Sequence, residues 1–205
     1  NVNENVITQN SGDDGGKERV RETLRDAWGR EPTETEYGGI RTLYLPLGGI
    51  SEQNHELLEQ AAAVSDTADK LTAEVNGEPL TKVWTLYSSL LHSVSCQKDG
   101  SDSVSSALVD GTASSEGIAM AYELLCDRMG IECQVVRGQY KNQSHCWNLV
   151  TIDDQSWHLD VTAGEGKYRF LRSDEELTEQ GYKWSQEDYP VCTLEAAIAA
   201  RNTVF

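Results

Sequence analysis

The spacing of the apolar residues changes once along this chain, and that change limits the folds open to it. From Ser51 to Gly130 the apolar residues recur every three or four positions, as the buried stripe of a helix requires. Leu57, Ala61, Val64, Ala68, Leu71 and Val75 follow Ser51. Val83, Tyr87, Leu90 and Val94 follow Pro79, and Ile118, Tyr122, Leu125 and Met129 follow Ser115. Gly130 is well placed to end the last of these helices. Beyond it come three short β-rich runs, IECQVVRGQY, HCWNLVTI and SWHLDVT, separated by the turn residues KNQS and DDQ. KYRFL reads as a fourth strand. SDEE at 173–176 is a capping-box signature for a short helix, and TLEAAIAARNTVF reads as a C-terminal one. CQKDGSDSVSS, charged and serine-rich, reads as a loop. Helices first and an antiparallel sheet afterwards imply an α+β fold, with the helices packed on the sheet.

The region before Ser51 has a different character. Residues 1–16, NVNENVITQNSGDDGG, have little to bury and read as a flexible tether. Residues 17–79 read as an N-terminal extension. It holds a short amphipathic helix with Val20, Leu24 and Trp28 on one side, a short strand in GIRTLYLPLGG, and the long helix after Ser51. Residues 80–205 read as the core domain.

Charge and cysteine usage exclude several functions. With 34 acidic against 17 basic residues, a net charge of −17 would repel nucleic acid and anionic lipid. No apolar run is long enough to span a membrane. Five cysteines, Cys96, Cys126, Cys133, Cys146 and Cys192, show no CxxC pair, which argues against structural zinc. Their odd number leaves one thiol free unless a partner supplies another. The first residue, Asn1, fits a chain whose signal peptide has been removed, so an extracellular or cell-surface location is expected.

Chemistry is concentrated in three places. Ser114 and Ser115 stand at a helix N-terminus, where unpaired N–H groups and the positive end of the helix dipole favour a nucleophile or an oxyanion. The same position suits an ordinary serine cap. His145 opens one strand and Asp160 ends the next. Adjacent antiparallel strands would bring these two side by side, giving a line of nucleophile, imidazole and orienting carboxylate. His158, two positions before Asp160 and on the same face, is a rival imidazole. Cys146 adjoins His145, so on a strand it points to the opposite face and reads as a buried structural thiol.

The wording around these residues, GTASSEGIA, HCWN and WHLDVT, resembles the transglutaminase-like superfamily, which has a papain-like cysteine-protease core. Gly111, Gly117 and Ala119 match its first motif, with Ile118 where a tyrosine is usual. His145, Trp147 and Asn148 match the second, with Cys146 in place of alanine. Trp157, Asp160 and Thr162 match the third. The tail YRFLRSDEEL…W…DYPVC looks like that of bacterial secreted or lipoprotein members. The resemblance covers about residues 80–192. It implies a catalytic triad at Ser115, His145 and Asp160, with Trp147, Gly117 and Asn148 along a substrate groove, a peptide or protein ligand, and no metal or organic cofactor. It also implies that Ser115 stands at the position of the nucleophilic cysteine. A cysteine thiol, with a pKa of about 8.5, is readily ionised at such a site, whereas a hydroxyl needs a base during attack. The expectation is an inactive or weakly active relative serving as a surface binding module. The alternative is an acyl-transfer enzyme (protein-glutamine transfer, deamidation or peptide hydrolysis), working through Ser115 or through a cysteine that Ser115 was engineered to replace. Oligomeric state stays open.

Overall fold

The computed structural model describes residues 52–162 and 169–205. The expected tether, the helix around Val20–Trp28 and the strand in GIRTLYLPLGG lie outside the described residues. The chain divides between Asp66 and Thr67 into two units. The described part of the first is the opening of helix α1 (Glu52–Thr72).

In the second unit, α1 ends at Thr72, whose hydroxyl donates to the Ala68 carbonyl at 2.9 Å. Ala68 and Val75 of the expected stripe are buried, but Val75 lies beyond the helix. Helix α2 (Pro79–Ser93) starts on a proline, whose missing N–H costs nothing at a helix N-terminus. It buries Val83, Leu86, Tyr87 and Leu90, and Val94 is already extended at its C-cap.

The loop expected at 96–106 contains regular structure instead. Strand β1 (Ser95–Cys96) pairs in parallel with β2 (Thr112–Ala113), and the five-residue helix α3 (Val104–Leu108) lies between them. Ser103 caps that helix by accepting the Ser106 N–H at 3.0 Å. The paired residues come from opposite ends of the segment, so no local periodicity marks them.

Helix α4 (Ser115–Arg128) buries Ile118, Tyr122 and Leu125 as its spacing predicts, and Gly130 follows its C-cap at φ +69°. The sheet then forms from β3 (Glu132–Tyr140), β4 (Gln143–Ile152), β5 (Gln155–Asp160), β6 (Arg169–Arg172) and β7 (Tyr182–Lys183). Its order is β6-β5-β4-β3-β7, antiparallel throughout. Both hairpins of the β3–β5 meander turn on two residues with positive φ: Lys141 and Asn142 at 51° and 62°, Asp153 and Asp154 at 50° and 62°. Such type I′ turns match the strand twist, and Asn and Asp tolerate them. They fix the registers Tyr140↔Gln143 and Ile152↔Gln155.

Ser173 and Glu176 form the expected capping box on α5 (Asp174–Glu179), and Thr193 caps α6 (Leu194–Val204). Glu176 also accepts from Arg172 at 2.8 Å and from Arg201 at 2.9 and 3.0 Å, which ties α6 to the end of β6.

The sheet has two buried faces. Cys146 and Val135 pack with Ala119 of α4, and Asn148 donates to the Ala119 carbonyl at 2.9 Å. The other face holds Val136, Trp147, Leu149, Leu177, Tyr182 and Cys192. Burying a side chain such as Leu149 or Leu177 contributes about 1.5–3 kcal/mol. No helix among the described residues is long and apolar enough to cross a membrane.

Candidate active site

The serine pair divides its work. Ser114 is the cap of α4: its hydroxyl accepts the Gly117 N–H at 3.3 Å and donates to Asp102. Ser115 is the first helical residue, and its hydroxyl accepts the Cys146 N–H at 3.2 Å. The β4–β5 ladder runs only as far as Asn148↔Leu159, so Cys146 lies beyond the stretch that pairs with β5. A helix N-terminus is thereby joined to the strand beside His145.

Two glycines permit this junction. A Cβ on Gly117 would lie 2.8 Å from the Ser101 carbonyl oxygen and 3.0 Å from that of Ser103. A Cβ on Gly100 would lie 2.6 Å from the Ala113 carbonyl carbon. The segment from Gly100 to Ser103 therefore runs directly against the start of the helix, and the Ser114 N–H donates to Ser101 O at 2.9 Å.

His145 and Asp160 do meet. The His145 Nε2–H donates to Asp160 Oδ2 at 2.9 Å, and Thr162 Oγ1 lies 3.3 Å from the same nitrogen. They are not directly opposite on the sheet, because β5 ends at Asp160 and the imidazole reaches it diagonally from a position three residues past Asn148, where the ladder ends. With the proton on Nε2, Nδ1 keeps a lone pair, as a general base requires. No hydrogen bond joins Ser115 to His145.

Asp160 is 1% exposed, and both of its oxygens are fully occupied. Oδ1 accepts the Thr162 N–H at 2.9 Å and its hydroxyl at 2.6 Å. Oδ2 accepts from Tyr182 as well as from His145, with Arg169 Nη1 3.7 Å away. Burial alone would raise this carboxyl. The hydrogen bond and electrostatic attraction of the His145 N–H, then Thr162 and Tyr182, outweigh it and hold Asp160 below the ordinary carboxylate range. Burial and the Asp160 charge push the Tyr182 phenol the other way, so it stays a donor. Tyr182 and Arg169 carry no local signal in the sequence. They reach the carboxylate because β7 and β6 are edge strands of the same sheet.

The other expected site residues are placed differently. Trp147 and Asn148, expected along a substrate groove, are each 1% exposed, and Gly117, expected there too, is buried. Alternation along β4 sends Trp147 into one core and Asn148 against α4. Cys146 faces α4 as its parity predicts, and burial with the nearby Glu116 charge pushes its thiol up to about 11. It is therefore a neutral thiol at pH 7. His158 is fully buried, accepts the Trp147 indole N–H on Nδ1 at 3.1 Å, and meets Asp174 through Nε2 at 2.9 Å. Among the described residues, His158, Asp174 and Cys192 bring three metal-type ligand atoms within 4.8 Å of one another.

Comparison with known proteins adds the following. Residues 65–160 match the family model described as the transglutaminase-like superfamily. No curated protein matches the sequence. Among solved structures, the chain resembles one described as a TGase, at 12% identity and a TM-score of 0.47, covering 68% of this chain and 38% of that one. It also resembles a candidate protease from Parabacteroides distasonis, at 12% identity and a TM-score of 0.36, covering 55% of this chain and 31% of that one. This chain thus spans 38% of the length of the first and 31% of the second.

Proposed function

Because residues 65–160 match the model of the transglutaminase-like superfamily, we propose that Ser115, His145 and Asp160 occupy its triad positions and that the hydroxyl at 115 stands in for the nucleophilic thiol. The site then binds a peptide or a glutamine side chain with little or no turnover, and the domain serves as a surface binding module. One observation carries this reading. The His145–Asp160 pair is hydrogen-bonded at 2.9 Å, yet the Ser115 hydroxyl is engaged with the Cys146 amide and has no bond to the imidazole. A hydroxyl so held lacks the base contact that attack on a carbonyl demands.

The intact pair favours a second reading, a working acyl-transfer enzyme with Ser115 as nucleophile. In either case the chemistry is addition to an amide carbonyl, loss of the amine, and transfer of the acyl group to water or another amine. Paired assays of this chain and Ser115→Cys decide between the two. Glutamine-containing peptides are offered with and without an added amine, while ammonia release and peptide cleavage are followed. Turnover by Ser115→Cys alone supports the binding-module reading. Turnover by the unaltered chain that His145→Ala abolishes establishes the serine enzyme.

A further inference from the structure

His158, Asp174 and Cys192 have the composition of a metal site, but the protons are against one. A metal on His158 Nε2 needs the neutral ring to carry its proton on Nδ1, and the Trp147 N–H already points at Nδ1 from 3.1 Å. Two N–H groups cannot face each other there. The proton therefore sits on Nε2 and is donated to Asp174 Oδ1 at 2.9 Å. Asp174 is held in turn: its Oδ2 accepts the Cys192 N–H at 3.2 Å, and its own N–H donates to the Cys192 carbonyl at 2.9 Å.

This chain of donors ends on a ring that stands beside the site. The Trp147 indole lies nearly parallel to the His145 imidazole, with centroids 6.2 Å apart and 21° between the planes. Tyr182, which donates to Asp160, meets both rings edge-on, at 5.1 Å from Trp147 and 5.9 Å from His145. The backbone makes room for the indole: Gly138 pairs directly with His145, and a Cβ there would come within 2.8 Å of Trp147 Cη2 and 2.3 Å of the Lys183 carbonyl oxygen. Trp147 is thus hydrogen-bonded at its nitrogen and confined around its six-membered ring.

We infer that His158 is a positioning residue: braced by Asp174, it fixes the Trp147 indole, and the indole holds the His145 ring in the orientation from which Nε2 meets Asp160. Two imidazole–carboxylate pairs, His158–Asp174 and His145–Asp160, are coupled through one tryptophan. The inference rests on His145 and Asp160 being the working pair of the site. It does not depend on whether Ser115 is active.

The test observes the His145 Nε2–H proton in the full chain, labelled with ¹⁵N-histidine and assigned by its loss in His145→Ala. His158→Gln keeps an acceptor for Trp147 and a donor for Asp174, whereas His158→Phe keeps only the bulk. In the unaltered chain and in His158→Gln this proton exchanges slowly with water. In His158→Phe it exchanges about tenfold faster, the effect of loosening one hydrogen bond. An unchanged rate in a folded His158→Phe overturns the inference, since a merely structural role would lower stability and leave this proton alone. If His158→Phe does not fold, Asp174→Ala replaces it, because that side chain is 21% exposed. Faster exchange then supports the coupling, and an unchanged rate overturns it. No turnover is involved, so failure of the proposed function shows separately in the peptide assays.

Discussion

The Ser115 hydroxyl takes its hydrogen bond from the Cys146 amide at 3.2 Å, one residue beyond the histidine that a nucleophile would need. The oxygen at 115 is thus held by a backbone amide and has no hydrogen bond to that imidazole. Replacing it by sulfur changes that balance, because a thiol at a helix N-terminus ionises far more readily than a hydroxyl.

Alkylation reads this directly. In the unaltered chain, iodoacetamide at pH 7 is expected to label exposed Cys96 first, while burial pushes Cys146 up to about 11 and Cys192 higher still. In Ser115→Cys the new thiol is expected to react about tenfold faster than Cys96. Peptide mapping of the labelled protein checks the order. Equal rates at the two positions would mean that the helix start and His145 do not activate a thiol.

Acid sensitivity follows from Asp160. Its folded-state pKa lies below the ordinary carboxyl value, so its contribution to stability is present above that value and is lost as pH falls through the folded one. Asp160→Asn is expected to cost about 3–5 kcal/mol at pH 7, because His145 and Tyr182 lose a buried charged partner. The gap from the unaltered chain narrows as pH falls below about 4. Urea unfolding from pH 2.5 to 7, near values where carboxyls titrate, checks both statements.

Glu176 clamps the C-terminal helix. Burial would raise its carboxyl, but the hydrogen bond from Arg201, then those from Ser173 and Arg172, hold it below the ordinary range. Glu176→Ala is expected to cost about 2–3 kcal/mol, the scale of charge-assisted hydrogen bonds. Arg201→Ala should cost less, because Arg172 and Ser173 still satisfy the carboxylate. Double-mutant unfolding measurements give the coupling, and additive losses would show that the two residues do not act together.

Gly117 and Gly130 separate two reasons for a glycine. A Cβ at 117 would strike two backbone carbonyls, so Gly117→Ala is expected to cost about 1–3 kcal/mol and to displace Ser115. Nothing lies within 4 Å of a Cβ at 130, yet φ is +69° there, and Gly130→Ala is expected to cost about 1 kcal/mol through backbone strain alone. Thermal unfolding of both variants ranks them. Equal losses would contradict the close approach at 117.

Much of the architecture was legible along the chain. Helical spacing placed α2 and α4, and the KNQS and DDQ turns placed the meander that brings β4 beside β5. SDEE marked α5 by its capping box. Capping and two-residue turns are local, so the residues that make them are adjacent in the sequence. The β1–β2 bridge was not legible, because Ser95 and Thr112 are paired across an intervening helix. The burial of Trp147, Gly117 and Asn148 was not legible for a related reason. Motif positions identify which residues matter without saying which side of the sheet is covered.

What the sequence determined by itself was the order of elements and the presence of a serine, a histidine and an aspartate at three motif positions, since periodicity and turn chemistry act over a few residues. Only the tertiary structure decided which atoms those residues face. The helix start approaches β4 closely enough for Ser115 to take the Cys146 amide. Edge strands bring Tyr182 and Arg169 to Asp160, and Trp147 stands between two imidazoles. Those relationships depend on how curled strands and a packed helix meet in space, where residues far apart in the chain compete for the same hydrogen-bonding atom.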